Sequence, residues 1–192
     1  MKHTQISAIA LAFSALVAGS AIAAPQTYVV DPSHTFPHFS YSHMGMSKQT
    51  LSFKETSGTV VLDKEAREAT VDVTIDMKSV NTGVDDFDDH IRDADFFDIA
   101  KFPTATFKST KVVFDGDRPA SIEGDLTIKG ITKPITLTVT SFYSGEHPML
   151  KKPAIGANAT AVIKRTEFNA GKYAPAVSDE VTLNIALEAV TE

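Results

Sequence analysis

"IEGDLTIKGITKPITLTVT", residues 122–140, carries the pattern that decides the fold class. Ile122, Leu126 and Ile128 alternate with Glu123, Asp125, Thr127 and Lys129. After Lys129–Pro134, Ile135, Leu137 and Val139 alternate with Thr136, Thr138 and Thr140. Alternation with period two puts one face of an extended chain in a core and the other in water. The Lys-Gly pair between the runs is a turn signal. The stretch therefore predicts two strands joined by a turn.

Working outward, the same period recurs. Val71, Val73, Ile75 and Met77 alternate with polar residues, as do Val181, Leu183, Ile185 and Leu187. Weaker runs lie at 35–44, 51–62, 104–114 and 154–165. Asp115-Gly116-Asp117 separates two runs as a tight hairpin does, and Gly145 to Pro153 reads as a longer loop. About eight strands, mostly antiparallel, define an all-β fold, either a closed barrel or a sandwich. No internal repeat, low-complexity tract or linker divides the chain.

Residues 1–23 have the features of an export signal. A short polar start with Lys2 and His3 precedes the apolar run Ile6–Val17, and Ala21-Ile22-Ala23 gives a small-x-small cleavage pattern. Cleavage is expected after Ala23, with a product in the periplasm or outside the cell. The run is short for a bilayer span, and no later segment qualifies as transmembrane. The mature chain, residues 24–192, suits a single domain with a real core.

Cysteine is absent, which excludes thiol nucleophiles, thiolate metal sites and a lipid-modified N-terminal cysteine. Without Lys2 the chain carries 17 basic and 24 acidic residues, net −7. Residues 85–98 alone hold seven aspartates and one arginine, net −6, so the remainder is near neutral at −1. No basic stripe is available to neutralise phosphates, and nucleic acid is a poor partner.

That acidic segment also breaks the strand pattern. Val84, Phe87, Ile91 and Ala94 are spaced for one face of a short amphipathic helix near 84–95. Thr82 followed by Asp85 resembles a capping box. Asp85 and Asp86 suit the first turn, and Asp88 can pair with Arg92. Most of the aspartates are then expected to face water. The segment lacks the glycine and the Asp-x-Asp-x-Asp spacing of a calcium loop.

The remaining polar residues form no catalytic pattern. His34 and His38 share a face if both lie in a strand, but sit roughly 13 Å apart there, too far for one ion. Ser33-His34 and Ser42-His43 are adjacent pairs, and neighbours in a strand point to opposite faces and form no relay. A metal binder or metal-dependent enzyme using the Asp/His segment 85–98 is one alternative to a binding barrel. A β module that acts through protein contact is another.

The motifs together resemble one family. Tyr28–Asp31, His34-Thr35, the run Phe39, Tyr41, His43, and Ser79-Val80-Asn81-Thr82 match the YceI-like, polyisoprenoid-binding-like exported proteins. So do Asp89-His90-Ile91-Arg92, Ala94-Asp95-Phe96-Phe97-Asp98, Lys101-Phe102-Pro103, Ala105-Thr106-Phe107, and Arg165 with Phe168. The block Gly124-Asp125-Leu126-Thr127-Ile128 with Gly130-Ile131-Thr132-Lys133-Pro134 is the most specific. The chain departs from the family at Leu51 and Asn169, where glycine is usual, and at Pro37, where a β-branched residue is usual.

The resemblance implies a lipocalin-like barrel of about eight strands around a long apolar cavity. It also implies an isoprenoid-like or fatty-acid-like ligand, no enzymatic activity and no cofactor. Alternation then places Phe39, Tyr41, Val73, Ile75, Phe107, Leu126, Ile128, Leu137, Val139, Ile163, Leu183 and Ile185 inside, with His43 on the face of Phe39 and Tyr41. His43 and Arg165 are the expected polar contacts. A homodimer stays open as an assembly.

Overall fold

A computed structural model describes residues 24–192. Eleven strands and one α-helix follow in chain order: β1 (Gln26–Val30), β2 (His38–His43), β3 (Ser47–Phe53), β4 (Thr56–Asp63), β5 (Glu68–Asp76), β6 (Val80–Asn81), α1 (Asp85–Arg92), β7 (Thr104–Asp115), β8 (Arg118–Ile128), β9 (Ile131–Glu146), β10 (Pro153–Lys164) and β11 (Glu180–Val190). The expected export signal, residues 1–23, lies outside the described residues.

The stretch 122–140 forms most of the β8–β9 pair, in register from Ile128↔Ile131 to Ser121↔Thr138. Lys129 (φ 51°) and Gly130 (φ 72°) join the strands. Two successive residues at positive φ are what a type I′ hairpin turn requires, and its twist matches that of the flanking strands. Gly116 (φ 60°) opens the second two-residue hairpin, between Asp115 and Arg118.

All ladders are antiparallel, and β1-β4-β5-β7-β8-β9-β10-β11 closes through a β1–β11 pairing. Periodicity was compatible with a barrel or a sandwich; the closed ring makes it an eight-stranded barrel. β2, β3 and β6 extend the wall at one end. There β2 pairs with β11 at Leu183↔Phe39, on the edge that carries β1 at Val190↔Val29. The first wall strand is thus broken at residues 31–37, with Pro37 just before β2.

Two expectations are corrected here. The run 51–62 is two strands, because the chain turns at Lys54-Glu55 so that β3 meets β2 and β4 meets β5. β1 was not anticipated, since its three apolar or aromatic positions, Tyr28, Val29 and Val30, are too few and too contiguous to establish a period. Its Tyr28 is nonetheless among the most buried side chains, 1% exposed.

Gly58 sets the spacing between β4 and β5. It adopts φ 151°, and a Cβ there would stand 2.2 Å from the Asp72 carbonyl oxygen and 2.8 Å from the Val73 Cα. Both are backbone atoms and cannot rotate away. Gly58→Ala is expected to cost about 2–3 kcal/mol, read as a lower urea midpoint at unchanged slope.

Candidate functional site

Inward-facing side chains line an apolar cavity of about 400 Å³, within the ordinary size of ligand pockets. Its wall includes all fourteen positions singled out from sequence. Phe39, Tyr41 and His43 come from β2, Val73 and Ile75 from β5, Phe107 from β7, Leu126 and Ile128 from β8, and Leu137 and Val139 from β9. Ile163 is the penultimate residue of β10, Arg165 lies just beyond the strand, and Leu183 and Ile185 come from β11. Small side chains keep space open: Ala157 and Ala159 on β10 and Ala69 on β5 also face the cavity.

At the end away from α1, Tyr28, Val60, Leu62, Ile155 and Ala189 pack with Phe114 and Phe142. At the other end α1 and the segment after it form one half of a roof. Phe87, Ile91, Phe96 and Phe97 from this half line the cavity. Phe97 contacts Phe39 and Phe53 with ring centroids 6.1 and 5.8 Å apart.

The helix differs from its sequence reading. Val84 is the residue before the helix, with extended backbone (φ −138°, ψ 116°), and is 59% exposed. Ala94 lies beyond the helix end and is also exposed. Only Phe87 and Ile91 of the expected stripe turn inward. Thr82 does not cap the helix; instead its backbone N–H donates to Asp88 Oδ1 at 2.6 Å. Asp88 is therefore buried rather than facing water, as is Asp98. Burial alone would raise the Asp88 pKa, but the Thr82 hydrogen bond and the Arg92 charge outweigh it and hold it below the usual range. Arg92 lies 3.9 Å from Asp88, is closer to Asp89 at 2.9 Å, and ties the helix to the Lys78 and Val80 carbonyls.

Residues 165–177 form the other half of the roof. Arg165 Nε donates to Ser178 O, its Nη1 to Ala170 O and Lys172 O, and its Nη2 to Val177 O, at 2.6–2.8 Å. Four of the five guanidinium N–H donors are thus committed to backbone carbonyls. Among the described residues no carboxylate bonds to the group; Asp179 acts at longer range, its oxygens accepting from Thr166 N and Oγ1. Burial lowers the Arg165 pKa and raises that of Tyr41 beside it. The result is a fixed cation at the top of an apolar chamber, next to a phenol. Phe168, Ala170, Tyr173 and Val177 complete this roof half. Sequence reasoning missed them because an irregular loop has no period; the Arg165–Phe168 motif was the one available signal.

The two halves meet. Lys129 Nζ donates to Ala94 O at 3.0 Å and to Asn169 O at 2.8 Å, bridging them from the β8–β9 turn. Asp95 and Lys172 form an ion pair across the gap, and the Phe96 and Tyr173 rings lie 6.2 Å apart. The Lys172 hydrogen bond holds the Asp95 carboxyl below its usual range, and Asp95 raises the Lys172 pKa in return. A depressed carboxylate contributes stability above its unfolded pKa, about 3.9, and loses it as pH falls through the folded value. A raised ammonium contributes below about 10.4 and loses it as pH rises through the folded value. The two roof halves are therefore expected to open rarely between these limits and more often beyond either, read as amide hydrogen exchange in residues 93–98 and 169–174. Lys172→Glu should speed that exchange at neutral pH.

Among the described residues, three candidate ligand groups converge at Asp31, His34 and Glu188, outside the segment 85–98. The Ser33-His34 pair is also corrected. Residues 31–34 form a turn, not a strand, and Ser33 Oγ comes within 3.0 Å of His34 Nδ1. Asp31 Oδ2 meets the same Nδ1 at 2.8 Å. A Ser-His-Asp relay needs the two partners on opposite ring nitrogens, so the triplet is not a nucleophilic site.

A closed antiparallel barrel with one apolar chamber and a polar group at its roof is a lipocalin-like ligand-binding architecture. The YceI-like domain matches residues 28–189, and the chain belongs to that family. It is 40% identical over 189 residues to protein YceI of Escherichia coli O6:H1, covering 97% of this chain and 98% of that one. Among solved structures, Burkholderia cenocepacia BcnA superposes with a TM-score of 0.72 at 26% identity, over 83% of this chain and 99% of that one. The Campylobacter jejuni YCEI protein gives 0.66 at 30% identity, over 79% and 90%. Among the described residues no helix is long and apolar enough to cross a membrane.

Proposed function

We infer that this protein is an exported binding protein that holds one apolar chain, isoprenoid-like or fatty-acid-like, inside the barrel. The observation that carries the reading is the chamber of about 400 Å³, walled by aliphatic and aromatic side chains and topped by the Arg165 guanidinium. At roughly 30 Å³ for a group of about water size, it accommodates on the order of a dozen carbons. Burying ten methylenes at about 0.8 kcal/mol each contributes roughly 8 kcal/mol. That corresponds to micromolar affinity before ordering costs. Arg165, with Tyr41 and His43 near it on the wall, supplies the polar contact for an acceptor-bearing head group. The fourteen wall residues are the proposed ligand contacts, and none needs to perform chemistry. The signal pattern at residues 1–23 supports a periplasmic location.

Native mass spectrometry of protein isolated from the periplasmic fraction, followed by lipid extraction, tests this. The expected result is one chain per molecule on a polypeptide beginning at Ala24. A protein that is consistently empty and takes up no prenyl or acyl chain at micromolar concentration overturns the binding reading. Retention of residues 1–23 overturns the export reading separately.

A further inference from the structure

We propose that Asp31, His34 and Glu188 form a divalent transition-metal site, of the Zn²⁺ class, that fastens the barrel where its first and last strands meet. One donor atom from each of the three side chains lies within 4.8 Å of the others. An imidazole with two carboxylates is a donor set for zinc and its neighbours in the first transition row. The nitrogen selects against calcium and magnesium, which take oxygen. Ligand atoms on a common tetrahedral ion with bonds near 2 Å stand about 3.3 Å apart, so small side-chain rotations complete the set.

Two further observations support a cation here. The backbone beneath the three groups is already fixed. The Asp31 N–H donates to Glu188 O at 2.8 Å, and Thr35, 1% exposed, exchanges hydrogen bonds with the Glu188 backbone through its hydroxyl. The ligands therefore project from one rigid junction rather than from separate mobile loops. In addition, neither carboxylate has a lysine or arginine partner among the described residues; Asp31 Oδ1 accepts from Ser33 N–H and Oγ–H, and its Oδ2 already lies 2.8 Å from His34 Nδ1. Both carboxylates and the imidazole open to solvent, so an ion has direct access and its remaining positions are held by water.

The location gives the ion a consequence. The β1–β11 seam is in register over only Val29↔Val190 and Val30↔Ala189. An ion on Asp31, His34 and Glu188 adds a cross-link immediately beyond those pairs, between the two ends of the chain.

Zinc titration by calorimetry of the full mature chain, with thermal unfolding in parallel, tests this. One ion per molecule is expected, with unfolding raised by roughly 5–10 °C at a hundredfold excess over Kd. Co²⁺ in place of Zn²⁺ should give a visible absorption band with nitrogen ligation. His34→Ala and, independently, Glu188→Gln should each weaken binding at least about tenfold. Glu188→Gln is isosteric and exposed, so it keeps the fold, checked by circular dichroism. No stoichiometric binding by the wild type overturns the site. Binding that survives both substitutions overturns it as well and points to chelation by the acidic helix.

Discussion

Ala157→Phe is expected to lower affinity for an acyl or prenyl chain about a hundredfold while leaving the melting temperature unchanged or higher. Ala157 faces the chamber from the middle of β10, between Phe142 on β9 and Leu187 on β11. A phenyl ring there takes the space of three or four ligand methylenes, worth about 3 kcal/mol in total. The ring fills a void rather than displacing packed atoms, so the overpacking penalty of a dense core is avoided. Asn158→Ala, on the neighbouring outward-facing position, should leave binding intact. Fluorescent fatty-acid displacement and calorimetric melting measure the two quantities side by side. Full affinity in the Ala157→Phe protein would place the ligand outside the chamber.

The second large effect is expected at Arg165. Arg165→Met removes the donors for the carbonyls of Ala170, Lys172, Val177 and Ser178 together. Hydrogen bonds from a charged group contribute about 1.5–3 kcal/mol each, and re-solvation of the loop recovers part, leaving a loss of about 3 kcal/mol. Arg165→Lys should fare little better, because a single ammonium cannot replace a planar fork. Segment 169–178 should become the first site of limited proteolysis in both variants. Affinity for a chain with an anionic head should fall at least tenfold, since the chamber loses its one fixed cation, while an uncharged alkyl probe should still bind. Equal losses for both probes would make Arg165 a brace for the loop alone.

The division between what the sequence discloses and what it hides follows from the range of each interaction. Phe107, Leu126, Leu137 and Leu183 could be assigned to one face because in a strand the side of a residue is fixed by parity. Ring closure followed from the family motifs rather than from the alternation, which a sandwich would share. The acidic stretch was legible as a helix through Phe87 and Ile91, but its cap was not. Whether Asp88 serves Thr82 or solvent depends on how the chain leaves β6. The roof loop was the least accessible part. Arg165 owes its role to four carbonyls spread over residues 170–178, and a contact set of that kind has no spacing to detect. Ser33 and His34 were treated as strand neighbours because a turn of few residues leaves too short a record to mark where an alternation begins.

The pairing of β1 with β11, and of β2 with β11 further along, joins residues 26–43 to residues 182–190. These contacts bridge some 150 positions, as in the Thr35–Glu188 hydrogen bonds. Non-local ladders of this kind place barrel proteins among the slow folders, on the order of milliseconds to seconds. Until its final strand arrives, the chain is a curved sheet with two raw edges, each able to accept a strand from another molecule. Loss of the last dozen residues should consequently shift the product from folded protein to aggregate rather than to a slightly weaker barrel. The ring makes the last strand the keystone of solubility as well as part of the chamber's wall, through Val181, Leu183, Ile185 and Leu187.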